Sequence, residues 1–143
     1  MFQDGMKLSG KLTILINDEV VKEVDNLVVT AGKGFVASRM KDATDSAMSH
    51  MAIGTGNTAA AAGDTALGTE SARVALTSTG VSSNVITYAA TFGAGTPSSA
   101  AAITEAGLFN ASSSGTMLCR TVFAVVNKGT ADSMTISWAV TVS

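Results

Sequence analysis

The sequence predicts a mainly β protein, an antiparallel β-sandwich with one short helix, folded as a single domain over residues 1–143. Three observations carry that expectation. Near the start, Leu8, Leu12, Ile14 and Ile16 alternate with polar residues at the period of a half-buried strand. At the end, "AAITEAGLFN", "TMLCRTVFAVV" and "SMTISWAVTVS" read as three strands joined by "ASSS" and "NKGTAD". Only "TAGKGFVASRMKDAT" reads as a helix. It starts at Thr30 or Gly32 and buries Phe35, Val36 and Met40. A chain of 143 residues is long enough to bury a real core.

The remaining elements follow in order. "INDEV" turns the chain, and Val20 to Val24 returns as a second strand. Met48 to Ile53 is a short strand, and residues 54–66, rich in Gly, Ala, Thr and Asn, have the composition of a loop. "TESARVALTSTG" and "SSNVITYAATFG" are two β-rich segments separated at Gly80, and "GAGTPSS", with the single proline Pro97, breaks the chain again.

A register can be assigned to the last three strands. A turn at Ala111 to Ser114 sets Asn110 opposite Gly115 and Glu105 opposite Arg120. A turn at Asn127 to Asp132 pairs Met117, Cys119, Thr121, Phe123 and Val125 with Val142, Val140, Trp138, Ile136 and Met134, which gathers the large residues on one face. The other face carries Ile103, Phe109, Leu118, Val122 and Val126 beside Glu105 and Arg120. With both faces apolar, a neighbouring subunit or a second sheet is expected over the second one.

Charge is scarce and uneven. Charged residues make up 14% of the chain, against about 25% in ordinary soluble domains, so the surface suits a subunit that neighbours cover. The purified protein is therefore expected to be a dimer or trimer. Of the twenty charged residues, only Glu105, Arg120, Lys128 and Asp132 lie beyond residue 73, which makes the second half the more buried. The net charge is −2 with no basic block, so no nucleic-acid footprint is expected. No apolar run reaches the 18 or so residues that cross a bilayer, and "MFQDGMKLSG" does not read as a secretory signal. With one cysteine, Cys119, no intramolecular disulfide is expected.

The stretch "HMAIGTGNTAAAAGDTAL" poses the main chemical question. Gly54-Thr55-Gly56-Asn57-Thr58-Ala59 fits the G-x-G-x-x-G/A pattern of a dinucleotide-binding turn. That fingerprint needs a helix after it and an acidic residue about 20 positions on, within a parallel βαβ unit. Gly63 and Asp64 stop any helix, Glu70 comes too early, and the P-loop lysine is missing. The favoured reading is a small-residue loop that can lie close to another backbone. No cofactor is expected, and no metal: His50 and Cys119 stand alone, and Asp18, Asp25, Asp42, Asp45 and Asp64 lack calcium-loop spacing. Neither His50 nor Cys119 has the local signature of a nucleophilic site. Cys119 reads as a small core residue.

Four charges stand out: Glu70 and Arg73, then Glu105 and Arg120. They could be an acid/base pair or ligand clamp. A structural salt-bridge cluster is favoured, because apolar neighbours such as Leu118 and Val122 require buried charges to be paired. Removing either Glu105 or Arg120 should then destabilise the fold, and an apolar double replacement should recover much of the loss.

Three stretches carry a resemblance: "GKLTILINDEVVKEVDNLVVTAGKGFVASRM", "MAIGTGNTAAAAGDTALGTESAR" and "ITEAGLFNASSSGTMLCRTVFAVVNKGTADSMTISWAVTV". Together they cover nearly the whole chain, and they resemble small structural proteins of tailed bacteriophages, above all capsid decoration, or cement, proteins. The resemblance implies a β-sandwich or jelly-roll-like subunit with no enzymatic activity. It implies a location on the outer capsid surface of a virion assembled in the host cytoplasm, with the major capsid protein and further copies of itself as partners. It carries over no active-site residue. Phage tail and fibre proteins share similar segments and are the alternative. A small nucleotide-binding enzyme using Gly54 and Gly56 is the remote one.

Overall fold

The computed structural model describes residues 5–143, so the start of "MFQDGMKLSG" lies outside the described residues. Strands account for 53% and helix for 9%, so the chain is mainly β. The elements are β1 (Leu8–Ile16), β2 (Glu19–Val28), α1 (Thr30–Lys41), β3 (His50–Gly54), β4 (Glu70–Ala75), β5 (Ser78–Ser82), β6 (Val85–Phe92), β7 (Ala101–Phe109), β8 (Met117–Lys128) and β9 (Met134–Val142). The strands form one antiparallel sheet, in the order β4-β3-β7-β8-β2-β1-β9-β6-β5, curled into a half-barrel.

The curl has a visible hinge. β2 meets β8 at only two pairs, Leu27↔Arg120 and Val28↔Cys119. The two halves therefore fold toward each other and share one core. Leu12, Ile14, Phe92, Ile136 and Trp138 enter it from one half, and Met51, Ile53, Leu108, Cys119 and Phe123 from the other. Alternation places them there, since Leu12 and Ile14, or Ile136 and Trp138, are two apart on their strands. Trp138, fully buried, donates its indole N–H to Asn26 Oδ1 at 3.0 Å. Gly10 faces that Asn26, and a Cβ there would run into its side chain, 2.7 Å from Cγ.

The β1–β2 hairpin closes through Asn17 and Asp18, with φ of 49° and 69°. Two successive left-handed residues suit the twist of a two-residue hairpin, and Asn and Asp tolerate that conformation better than other side chains. Asn17 also reaches the β8–β9 turn, donating to Asp132 Oδ1 and accepting from the Ser133 amide, both at 3.0 Å.

Several expectations are corrected. β8 and β9 do not pair. β9 lies between β1 and β6, with Leu12↔Trp138 and Tyr88↔Trp138 as neighbours. The inward face of β9 is the expected one, because burial of Met134, Ile136, Trp138 and Val140 depends on parity alone, but the β1–β2 hairpin inserts between β8 and β9. Val125 is half exposed rather than inward. Gly80 is not a break between strands but sits in the middle of β5, and the chain turns at Ser83 and Asn84. β2 runs to Val28, beyond the expected Val24. The helix forms where expected, and Phe35 is buried, but Met40 is 72% exposed. The helix meets β8 through Gly32, where a Cβ would lie 2.8 Å from Leu118 Cα, and its last turn stands at the rim of an apolar groove.

Candidate functional site

Glu105 on β7 and Arg120 on β8 face the same side of the sheet. The strand register sets Gly107 opposite Arg120 and Glu105 opposite Val122, two residues from the expected pairing. The turn itself closes one residue later than expected, with the Asn110 amide on the Thr116 carbonyl and Phe109 opposite Met117, and the bulge between Leu108 and Phe109 adds the second residue of the slide. A shift of two preserves the face, so the pair still forms diagonally. Arg120 donates to Glu105 Oε1 from Nη2 at 2.9 Å and from Nε at 3.2 Å. Both side chains are buried, with Glu105 at 0% and Arg120 at 2% exposure.

The glycine-rich segment after β3 lies directly over this pair. The amides of Gly56 and Thr69 donate to Glu105 Oε2 at 2.8 and 2.7 Å, and the amide of Gly68 donates to Oε1 at 2.8 Å. Arg120 Nη2 donates to the Thr58 carbonyl at 3.0 Å, and Nη1 to Asp64 Oδ2 at 2.8 Å. Asp64 in turn accepts the Ala61 amide at 2.9 Å, and Thr104 Oγ1 donates to the Gly56 carbonyl at 2.6 Å. The loop is thus held at Gly56, Thr58, Asp64, Gly68 and Thr69 by two side chains of the sheet beneath it and by Thr104.

The small residues are what permit this approach. A Cβ at Gly54 would stand 2.6 Å from Glu105 Oε2 and against the Thr69 carbonyl, and one at Gly56 would stand 2.9 Å from Glu105 Cδ. Convergent amides of this kind make an anion-binding concavity. The anion that occupies it is the protein's own carboxylate. Leu67 anchors the same segment by packing with Val29, Ala52, Phe109 and Met117. The expectation that a neighbouring subunit or second sheet covers this face is therefore corrected over Glu105, Arg120 and Phe109, where residues 54–69 of the same chain do so, and Met117, expected on the opposite face, packs there with them. Neither the loop's composition nor its lack of large side chains before Leu67 announces that docking.

Burial alone pushes the Glu105 pKa upward. The amides of Thr69 and Gly68, the Arg120 guanidinium and the Gly56 amide together outweigh it and hold the carboxyl below its ordinary value. The Ala61 amide is the main cause that keeps the Asp64 pKa low, with Arg120 adding to it against the effect of burial.

Glu70 and Arg73 form a separate clamp at the sheet edge. Arg73 donates to Glu70 from Nε at 3.0 Å and from Nη2 at 2.7 Å, in a bidentate pair. Its Nη1 donates to the carbonyls of Ala111 at 3.0 Å and Ser114 at 2.8 Å, and the guanidinium lies 3.8 Å from the centroid of the Phe109 ring. The four charges singled out in the sequence thus form two clusters, and Arg73 ties the β7–β8 turn to β4. Arg73→Lys keeps the charge but loses the planar fork and the stacking. A loss of about 1–2 kcal/mol is expected, with faster amide exchange in residues 110–116 as the measurement that distinguishes this clamp from general destabilisation.

Two participants escaped the sequence reading. Asp64 completes the Arg120 shell, but nothing in its local spacing marks it. Lys128 is 1% exposed and donates to the carbonyls of Gly93 at 2.9 Å and Asp132 at 2.7 Å, closing the end of β6 onto the β8–β9 turn. Burial pulls its pKa down, with Asp132 partly opposing. Its isolation in a charge-poor half was the one available signal, while backbone acceptors leave no trace in a sequence. His50 is a half-buried strand residue whose Nδ1 lies 2.8 Å from Ser49 Oγ. Cys119 is buried in the core, and burial pushes its thiol pKa up. Among the described residues, no three of His, Cys, Asp and Glu gather as a metal site would require.

The chemistry of the site follows from this satisfaction. Both oxygens of Glu105 and all three nitrogens of Arg120 are engaged within the chain. The arrangement clamps a loop onto a sheet. No family model, no curated protein and no solved structure matches the chain.

Proposed function

We propose that this chain is a non-enzymatic structural protein of a bacteriophage virion, a capsid decoration subunit that binds the outer capsid surface. It acts by buried area: each copy lies across a junction between major capsid proteins and adds contacts where internal pressure would open the shell. Many copies, each attached at several points, sum weak contacts into a large stabilisation. The observation that carries this reading is the use of the prominent charged residues. Glu105, Arg120, Glu70 and Arg73 all hold the protein's own loops, and the glycine-rich turn presents its Gly56, Gly68 and Thr69 amides to Glu105 rather than to a phosphate. The segmental resemblance to phage decoration proteins and the sparse charge support it further. Immunogold labelling of purified phage particles with an antibody to this protein is the test. Gold over the head is the expected result. Gold on the tail favours the tail or fibre alternative, and absence from particles overturns both.

A further inference from the structure

The two edges of the sheet differ. The edge strand β4 carries the charges Glu70 and Arg73, and a register irregularity interrupts its pairing with β3. Charges and bulges are the usual devices that keep an edge from pairing with another chain. β5, "STGVS", has neither. It is five uncharged residues, all exposed, without proline, and among the described residues it pairs on one side only, with β6, which leaves its backbone donors and acceptors on the other side as a template.

The same strand borders an apolar groove of about 600 Å³, lined among others by Phe35, Met40, Val81, Ile86, Tyr88 and Val140. Val81 is 73% and Met40 is 72% exposed. The ladder sets Thr79 opposite Tyr88 and Val81 opposite Ile86, so Thr79 and Val81 point to the groove side of the sheet and Gly80 to the other.

We infer that β5 is a self-association strand that pairs antiparallel with β5 of a second copy across a two-fold axis centred on Gly80. Opposed residues in a sheet point to the same face, so a two-fold pairing must set one residue opposite its own copy. Gly80 is the middle residue and engages the whole strand. Thr79 then faces Val81 of the second copy, and both copies present their grooves on one side of a continuous sheet. Each exposed Val81 is carried to the groove rim of the other copy, beside Met40. A second copy is the occupant that satisfies both features at once, since it brings the uncharged strand for the edge and the apolar residue for the rim. Such added strands gain affinity from main-chain hydrogen bonds and specificity from alternate side chains. A five-residue strand is a short contact beside the roughly 1,200 Å² of stable interfaces, so the dimer is expected to dissociate on dilution. The proposal concerns self-association alone and stands whether or not the virion reading does.

The test has two arms. In sedimentation velocity at about 100 μM, a range where weak dimers are populated, the wild-type protein is expected to be dimeric and Val81→Lys monomeric. Val125→Lys, at another exposed apolar position, should stay dimeric. The melting temperature of Val81→Lys should stay within a degree or two of wild type, because the side chain lies outside the core. In the second arm, Gly80→Cys should cross-link copies under mild oxidation, since directly opposed residues lie about 4.5–5.5 Å apart, within disulfide reach. A Cβ at Gly80 meets nothing within 4 Å, and the other cysteine, Cys119, is buried. A monomeric wild type, a Val81→Lys variant as associated as wild type, or a Gly80→Cys variant that does not cross-link would each overturn the inference. Head labelling of particles reports on the virion reading and on neither arm.

Discussion

Glu105→Ala is expected to destabilise the fold by about 3–5 kcal/mol, the usual consequence of stranding one partner of a buried pair. In a chain of this size that corresponds to a fall of about 10–15 °C in melting temperature. The cause is specific. The variant leaves Arg120 buried without its carboxylate and orphans the amides of Gly56, Gly68 and Thr69 together. Arg120→Ala belongs to the same class, because it strips Glu105 of its cation and frees Asp64 and the Thr58 carbonyl. An apolar double replacement is no longer expected to recover much. It removes two charges but leaves three amides without acceptors, and burying an unpaired donor costs about 1–3 kcal/mol each. Thermal unfolding of the two single variants and the double variant measures this, and recovery in the double variant would show that the loop amides find water.

The same carboxylate makes acid a selective denaturant of the loop. Glu105 has a folded-state pKa below its unfolded value, so its contribution is present at neutral pH and is lost as pH falls through the folded value. Stability should therefore decline below about pH 4, and Glu105→Gln should flatten that decline. Amide exchange at Gly56, Gly68 and Thr69 against pH checks which contact is lost.

Gly54→Ala is expected to cost about 1–3 kcal/mol, as overpacking at a rigid site does. Its Cβ meets the Thr69 carbonyl, which is backbone, and Glu105 Oε2 at 2.6 Å, which is already held by two amides. Neither neighbour can swing away cheaply. The expected readout is early proteolytic cleavage within residues 54–69 and a lower melting temperature, with no saturable binding of NAD or ATP in either protein. Saturable nucleotide binding in wild type that disappears in Gly54→Ala would revive the dinucleotide reading of the loop.

Some features were legible because they depend only on local periodicity. The inward faces of β1 and β9 follow from alternation, which holds whichever strand lies alongside. The helix at Thr30–Lys41 follows from apolar residues, Phe35, Val36 and Met40, at helical rather than alternating spacing, and it forms in spite of Gly32 and Gly34. The pairing of Glu105 with Arg120 survived a wrong register, because a slide of two residues returns each side chain to the same face.

What the sequence by itself determined was therefore the class: a mainly β antiparallel chain with one helix, and two charges in an apolar region that had to meet. Tertiary structure alone decided which strands became neighbours. β8 and β9 are joined by a short turn and looked like a hairpin, yet the β1–β2 hairpin lies between them, because closing the half-barrel buries Leu12 and Ile14 against Trp138. It also decided what fills the glycine-rich turn. A G-x-G spacing records that the backbone comes close to something, and only the folded chain identifies that something as Glu105, 49 residues away from Gly56. Asp64 and Lys128 were hidden for the same reason: their partners are a distant guanidinium and backbone carbonyls, which local spacing does not encode.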